Sequence, residues 1–208
     1  LVATKSDKDW QQNYEFVLQE LKKSKYPEAA GEFEIIYSLA YLNHQSPDKA
    51  IEMLRSIRKK DPSLMALAAT NLSFLYYLEQ DFESADKYAT MALDHDKYNA
   101  YALVNKGNCY LQAGHEEEAR DSYLEAIGVE ANCVEALYNF GVVSKALGSY
   151  DDAIQVFEKL SRIIPKAPEV AYEVSDCYDK IGQVPQAIDC LHRLFNILAT
   201  DPAMWKKL

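Results

Sequence analysis

Alanines return along this chain at one interval: Ala50, Ala85, Ala119, Ala153 and Ala187 lie at steps of 35, 34, 34 and 34 residues. Glycines keep the same interval, with Gly114, Gly148 and Gly182 at steps of 34 and Gly107 and Gly141 also 34 apart. Pro62 and Pro165 fall at equivalent places in their periods. Self-similarity at this spacing points to stacked repeats and away from one globule around a central core. A small residue held at one phase marks a close approach of two backbones or the end of a helix.

Within a period the apolar pattern predicts a helix, a short turn and a second helix. In residues 100–133, Leu103, Gly107, Tyr110 and Leu111 share one helical face. Gly114 then suits the left-handed residue that closes a helix. A second face carries Ala119, Tyr123, Ala126 and Ile127, and Leu137, Gly141, Gly148, Ala153, Phe157 and Leu160 repeat the scheme. Ser46-Pro47-Asp48 and Ser149-Tyr150-Asp151-Asp152 supply helix-start signals: a capping hydroxyl, a proline in the first turn, and carboxylates for the helix dipole.

This pattern resembles the tetratricopeptide repeat, a 34-residue helix–turn–helix unit. The frame is 31–65, 66–99, 100–133, 134–167 and 168–201, with a helix over 10–24 before it and a further repeat beginning over 202–208, where Trp205 takes the aromatic fourth position. Four positions depart from the pattern: Ser38, Ser73 and Ser175 replace the first-helix glycine, and Ala89 stands where a large aromatic is usual. The resemblance implies an all-α fold, a solenoid with the right-handed superhelix of such repeats, and 1–208 as a single array without a linker. The chain opens on Leu1-Val2-Ala3-Thr4 with no initiator methionine, and is expected to be a piece of a longer protein.

Composition narrows the function classes. Lys and Arg total 22 against 32 Asp and Glu, a net charge of −10, which disfavours nucleic acid and anionic membrane surfaces. No apolar run approaches the ~18 residues of a membrane span, so direct membrane insertion is not expected. Cys109, Cys133, Cys177 and Cys190 contain no C-x-x-C pair, which argues against a zinc ribbon and fits a reducing compartment. Cys109 and Cys177 both take the tenth position of their repeats, as small buried packing residues would.

Nothing in the pattern calls for catalysis. His44, His95, His115 and His192 are isolated, and Asp94-His95-Asp96 falls at a helix end where polar residues are solvated. Glu116-Glu117-Glu118 with Asp121 suits the start of a helix. Asn71-Leu72-Ser73 matches a glycosylation acceptor but lies mid-helix. Glycine-rich phosphate loops, H-E-x-x-H and G-x-S-x-G are absent from the sequence. No catalytic residue, metal ligand or cofactor is expected.

A protein-binding surface is expected instead. In tetratricopeptide arrays, positions 2, 5, 9 and 12 of each first helix line the concave face. Here these are Leu67, Thr70, Phe74 and Tyr77; Tyr101, Val104, Asn108 and Leu111; Glu135, Tyr138, Val142 and Lys145; and Glu169, Tyr172, Asp176 and Asp179. The candidate partner-binding residues are Phe74, Tyr77, Tyr101, Val104, Asn108, Tyr138, Val142, Tyr172, Asp176 and Asp179. Lys145 is the lone cation among them. Such a face suits an apolar or basic protein segment; alternatively, these residues pack on one another and close it.

Three stretches go beyond the generic repeat: Leu67 through Phe82 (LAATNLSFLYYLEQDF), Tyr98-Asn99 with Ala102 through Asn108 (ALVNKGN), and Glu135 through Gly141 (EALYNFG). Together they resemble the family of eighty-eight-kilodalton tetratricopeptide subunits of intraflagellar transport complex B, over about residues 60–205. The resemblance implies a structural role in building cilia and flagella, with partners among the other complex B subunits, notably the fifty-two-kilodalton core subunit, and with the peripheral subcomplex. It implies residence in the cilium or flagellum, at the basal body and in the cytoplasm. A free adaptor or co-chaperone that captures peptides transiently is the alternative, though the basic clamp of many such adaptors is absent. An enzyme with an accessory repeat domain is a third class.

Overall fold

The computed structural model describes residues 10–25, 27–57 and 61–200. Among them run eleven α-helices: α1 (Trp10–Lys23), α2 (Pro27–Asn43), α3 (Pro47–Ser56), α4 (Pro62–Leu78), α5 (Phe82–His95), α6 (Ala100–Gln112), α7 (Glu116–Val129), α8 (Val134–Ala146), α9 (Tyr150–Ile163), α10 (Pro168–Lys180) and α11 (Val184–Thr200). The fold class is all-α and of helical-repeat type. The expected repeat start at 202–208, with Trp205, lies outside the described residues. The helices form two compact units, divided between Asn105 and Lys106 within α6. In the first unit α1 packs on α2, α3 bridges α2 and α4, and α5 lies against α4. In the second, α7 meets α8, α9 lies between α8 and α10, and α11 packs on α10.

One turn recurs five times. Gly114, Gly148 and Gly182 hold φ of 78°, 79° and 76°, and Gln45 and Gln80 hold the equivalent places at 55° and 63°. At each, the next residue's N–H closes on the carbonyl five residues back: Ser46 to Tyr41, Asp81 to Tyr76, His115 to Tyr110, Ser149 to Ser144 and Gln183 to Tyr178, at 2.8–2.9 Å. This closure satisfies carbonyls that a helix end otherwise leaves unpaired. The helix starts differ more. Asp61 and Asp81 accept from the backbone N–H of Ser63 and Ser84, whereas Ser46 and Ser149 stand at the cap without that bond.

The alanine row is the seam of each hairpin: Ala50, Ala85, Ala119 and Ala153 are 0% exposed. Facing it, Gly107 lies under the Tyr123 ring and Gly141 under the Phe157 ring, so close that a Cβ would stand 2.6 Å from either. Where serine replaces glycine, Ser73 donates to the Ala85 carbonyl at 2.8 Å and Ser175 to that of Ala187 at 3.2 Å. The opposing residues are then Ala89 and Leu191. At these two serines a larger residue on one helix goes with a smaller one at the equivalent position of the other, whereas Ser38 donates to the Ile35 carbonyl of its own helix at 2.6 Å.

Candidate protein-binding surface

In the first unit, α4 and the start of α6 present apolar side chains to solvent. Leu67, Phe74 and Tyr101 are 47%, 49% and 50% exposed. Tyr77 is half-buried, edge-on to Phe82 at 5.4 Å. Val104, expected on this face, is instead a core residue, 5% exposed. A valine does not clear its neighbours at the position from which Tyr172 reaches outward in the fifth repeat. Polar links brace the face: Asn105 Nδ2 donates to the Thr70 carbonyl at 3.0 Å and Asn99 Nδ2 to Thr70 Oγ1 at 3.1 Å.

In the second unit the face carries charge. Tyr172 is 52% exposed on α10. Tyr138 is half-buried, its ring edge-on to Phe157 at 5.9 Å, and Val142 packs on the same core. Burial, then the nearby Glu173 and Glu169 carboxylates, push the Tyr138 phenol above its ordinary pKa. Asn108 Oδ1 accepts from the Tyr123 hydroxyl at 2.7 Å and from Asn139 Nδ2 at 3.0 Å, so this side chain links helices. Lys145 is clamped: its Nζ donates to Glu173 at 2.5 Å and to Asp176 at 3.1 Å. Burial opposes the charged ammonium, but those two carboxylates outweigh it and hold Lys145 above the usual lysine pKa. Asp176 is thus engaged within the protein, while Glu169 and Asp179 stand exposed on the same helix.

Asn71, Asn105 and Asn139 recur at 34-residue steps; Asn105 and Asn139 tie neighbouring helices together, whereas Asn71 donates to the Leu67 carbonyl of its own helix at 2.9 Å. The other motifs settle as packing or solvated surface. All four cysteines are buried and outside any disulfide, and burial pushes the Cys177 thiol up to about 11. His95 and Glu116 through Glu118 are exposed. His44 stacks on Trp10, ring centroids 4.1 Å apart. Among the described residues no group of three His, Cys, Asp or Glu is placed to hold a metal, and no helix is long and apolar enough to cross a membrane.

Paired helices with apolar and acidic outer faces define a class, the helical-repeat protein-binding scaffold. Residues 72–132 and 106–168 match one tetratricopeptide-repeat model and residues 145–208 another. The chain belongs to the tetratricopeptide-repeat proteins. It is 36% identical over 99 residues to the human intraflagellar transport protein 88 homolog, across 48% of this chain and 12% of that protein. It is 30% identical over 164 residues to the type IV pilus assembly protein PilF of Pseudomonas aeruginosa, across 75% of this chain and 62% of that protein. The chain therefore spans less than two thirds of either relative. The solved structure of PilF superposes with a TM-score of 0.71 at 27% identity, over 81% of this chain and 77% of that one. A crystal structure of MamA, at 20% identity and a TM-score of 0.68 over 78% of this chain and 95% of that one, shares the fold.

Proposed function

We propose that this chain is part of a non-enzymatic scaffold subunit of an intraflagellar transport B complex, serving the assembly of cilia and flagella. The observation that carries the reading is the 36% identity to the human intraflagellar transport protein over 99 residues, a higher identity than the longer match to PilF. The partners are other complex B subunits, notably the fifty-two-kilodalton core subunit, with the peripheral subcomplex beyond. Leu67, Phe74 and Tyr101 offer apolar anchors, and Tyr172 between Glu169 and Asp179 offers an aromatic ring with flanking negative charge. Tyrosine and phenylalanine bring large contact area with few rotors to order, which suits a lasting interface. The place of action is the cilium or flagellum, the basal body and the cytoplasm.

PilF aligns with 75% of the chain, which favours a second reading as a free adaptor. Size-exclusion chromatography with the reconstituted fifty-two-kilodalton core subunit separates the two. A stoichiometric complex that survives dilution supports the scaffold. Separate elution of the two folded proteins overturns it.

A further inference from the structure

Two repeat-equivalent places in the fold differ in how they are filled. Ala69 holds the fourth position of its repeat, and Met65, Leu72, Tyr88 and Met91 close around it to leave about 10 Å³. Three repeat lengths further along, Ala171 holds the same position, and the residues equivalent to those four are Ala167, Val174, Cys190 and Arg193. Three are smaller and one is charged, and a cavity of about 180 Å³ lies there, between α9, α10 and α11. In the third and fourth repeats a leucine occupies the fourth position, Leu103 at 5% and Leu137 at 0% exposure. The fifth repeat thus lacks a side chain that its neighbours supply from within.

We propose that this cavity receives an aromatic side chain of a partner protein, tryptophan by preference. A cavity of about 150 Å³ with aliphatic walls takes up benzene, so the volume suits a ring. Ala171, Val174 and the buried Cys190 make an apolar lining, and burial pushes the Cys190 thiol pKa up. Glu158 also lines the cavity. Its carboxylate accepts the Tyr178 hydroxyl at 2.7 Å and retains lone pairs for an indole N–H. Arg193, exposed at the rim, brings a guanidinium to the ring face. The site is separate from the tyrosine-bearing face and does not rest on the transport reading.

The first test is methyl NMR of the chain titrated with indole. Saturable shifts at Ala167, Ala171 and Val174, with millimolar affinity, are expected. Ala171→Leu restores the leucine of the neighbouring repeats, and Ala167→Met independently restores the methionine of the second. Each should melt above wild type and weaken indole at least tenfold. A titration that moves no cavity methyl, shifts that persist in both filled variants, or melting of both below wild type overturns the cavity as a site. Selection of phage-displayed dodecapeptides on wild type, with counter-selection on Ala171→Leu, should enrich tryptophan or phenylalanine. Enrichment of neither, or cavity-methyl shifts on Trp205→Ala that show the chain's own tryptophan in the cavity, overturns the partner assignment.

Discussion

Replacing two glycines with alanine should move stability in opposite directions. At Gly141 the new Cβ would lie 2.6, 2.7 and 2.9 Å from Phe157 ring carbons. Carbon atoms rest at about 3.5–4.0 Å, so the ring must retreat by roughly 1 Å. It has little room: Phe157 is 0% exposed and belongs to a core with Leu137, Ala153 and Leu160. Overpacking of that kind costs about 1–3 kcal/mol, against about 1 kcal/mol gained when alanine replaces glycine within a helix. The net loss is roughly 0–2 kcal/mol. Gly128, in α7, has nothing within 4 Å of its added Cβ. Gly128→Ala should stabilise by roughly 0.5–1 kcal/mol. Melting followed by circular dichroism should place Gly128→Ala above Gly141→Ala by roughly 1–12 °C, since about 1 kcal/mol shifts a chain of this size by 2–4 °C. Adding Phe157→Leu to Gly141→Ala, which imitates the Ser175 and Leu191 pair, should recover part of the loss. Both glycine variants melting above wild type would refute the close approach at Gly141.

Gln80→Gly should raise stability by about 1 kcal/mol in urea titrations, because Gln80 holds a φ of 63° that costs a side chain about that much; unchanged stability would contradict a left-handed turn there. Lys145→Met should destabilise by roughly 1–3 kcal/mol by leaving Glu173 and Asp176 without their cation. Adding Glu173→Gln should restore part of that, and a neutral Lys145→Met would deny the clamp. The Ser84 hydroxyl and its backbone N–H hold the Asp81 carboxyl below its ordinary pKa. Its contribution is therefore present above the unfolded carboxylate value near ~3.9 and lost as pH falls through the lower folded one. Urea midpoints between pH 6 and 2 should fall less steeply for Asp81→Ala, and parallel curves would count against the cap.

Much of the fold follows from phase alone. The period predicts the helix pairs, and Gly114, Gly148 and Gly182 mark three of the five turns; Gln45 and Gln80 take the same conformation without the residue that announces it. The Ser73, Ser175 and Ala89 departures look like weakened repeats when read singly. They make sense only as pairs, because Ser73 faces a helix that carries Ala89 while Gly141 faces Phe157, and these pairs meet only once the hairpin closes. Lys145 reads as a lone groove cation since its partners sit 28 and 31 residues away on another helix. Val104 shows the opposite limit: position within a repeat indicates direction, while side-chain length decides whether a residue at the edge of the core reaches solvent. The cavity beside Ala171 is hidden for a related reason, since alanine at the fourth position also occurs at Ala69, where two methionines and a tyrosine fill the space.

The central claim is that partner subunits are held by exposed aromatic anchors without chemistry. Phe74 and Tyr172 are each about half exposed, so both can be truncated without opening the core. The most direct measurement is calorimetric titration of the reconstituted fifty-two-kilodalton core subunit into wild type and into Phe74→Ala/Tyr172→Ala, after the variant's melting is shown to match wild type. Anchors of this type contribute about 2 kcal/mol or more each, so the variant should bind at least ~10-fold more weakly. Equal affinity for the two folded proteins would contradict the claim and place the interface on other helix faces.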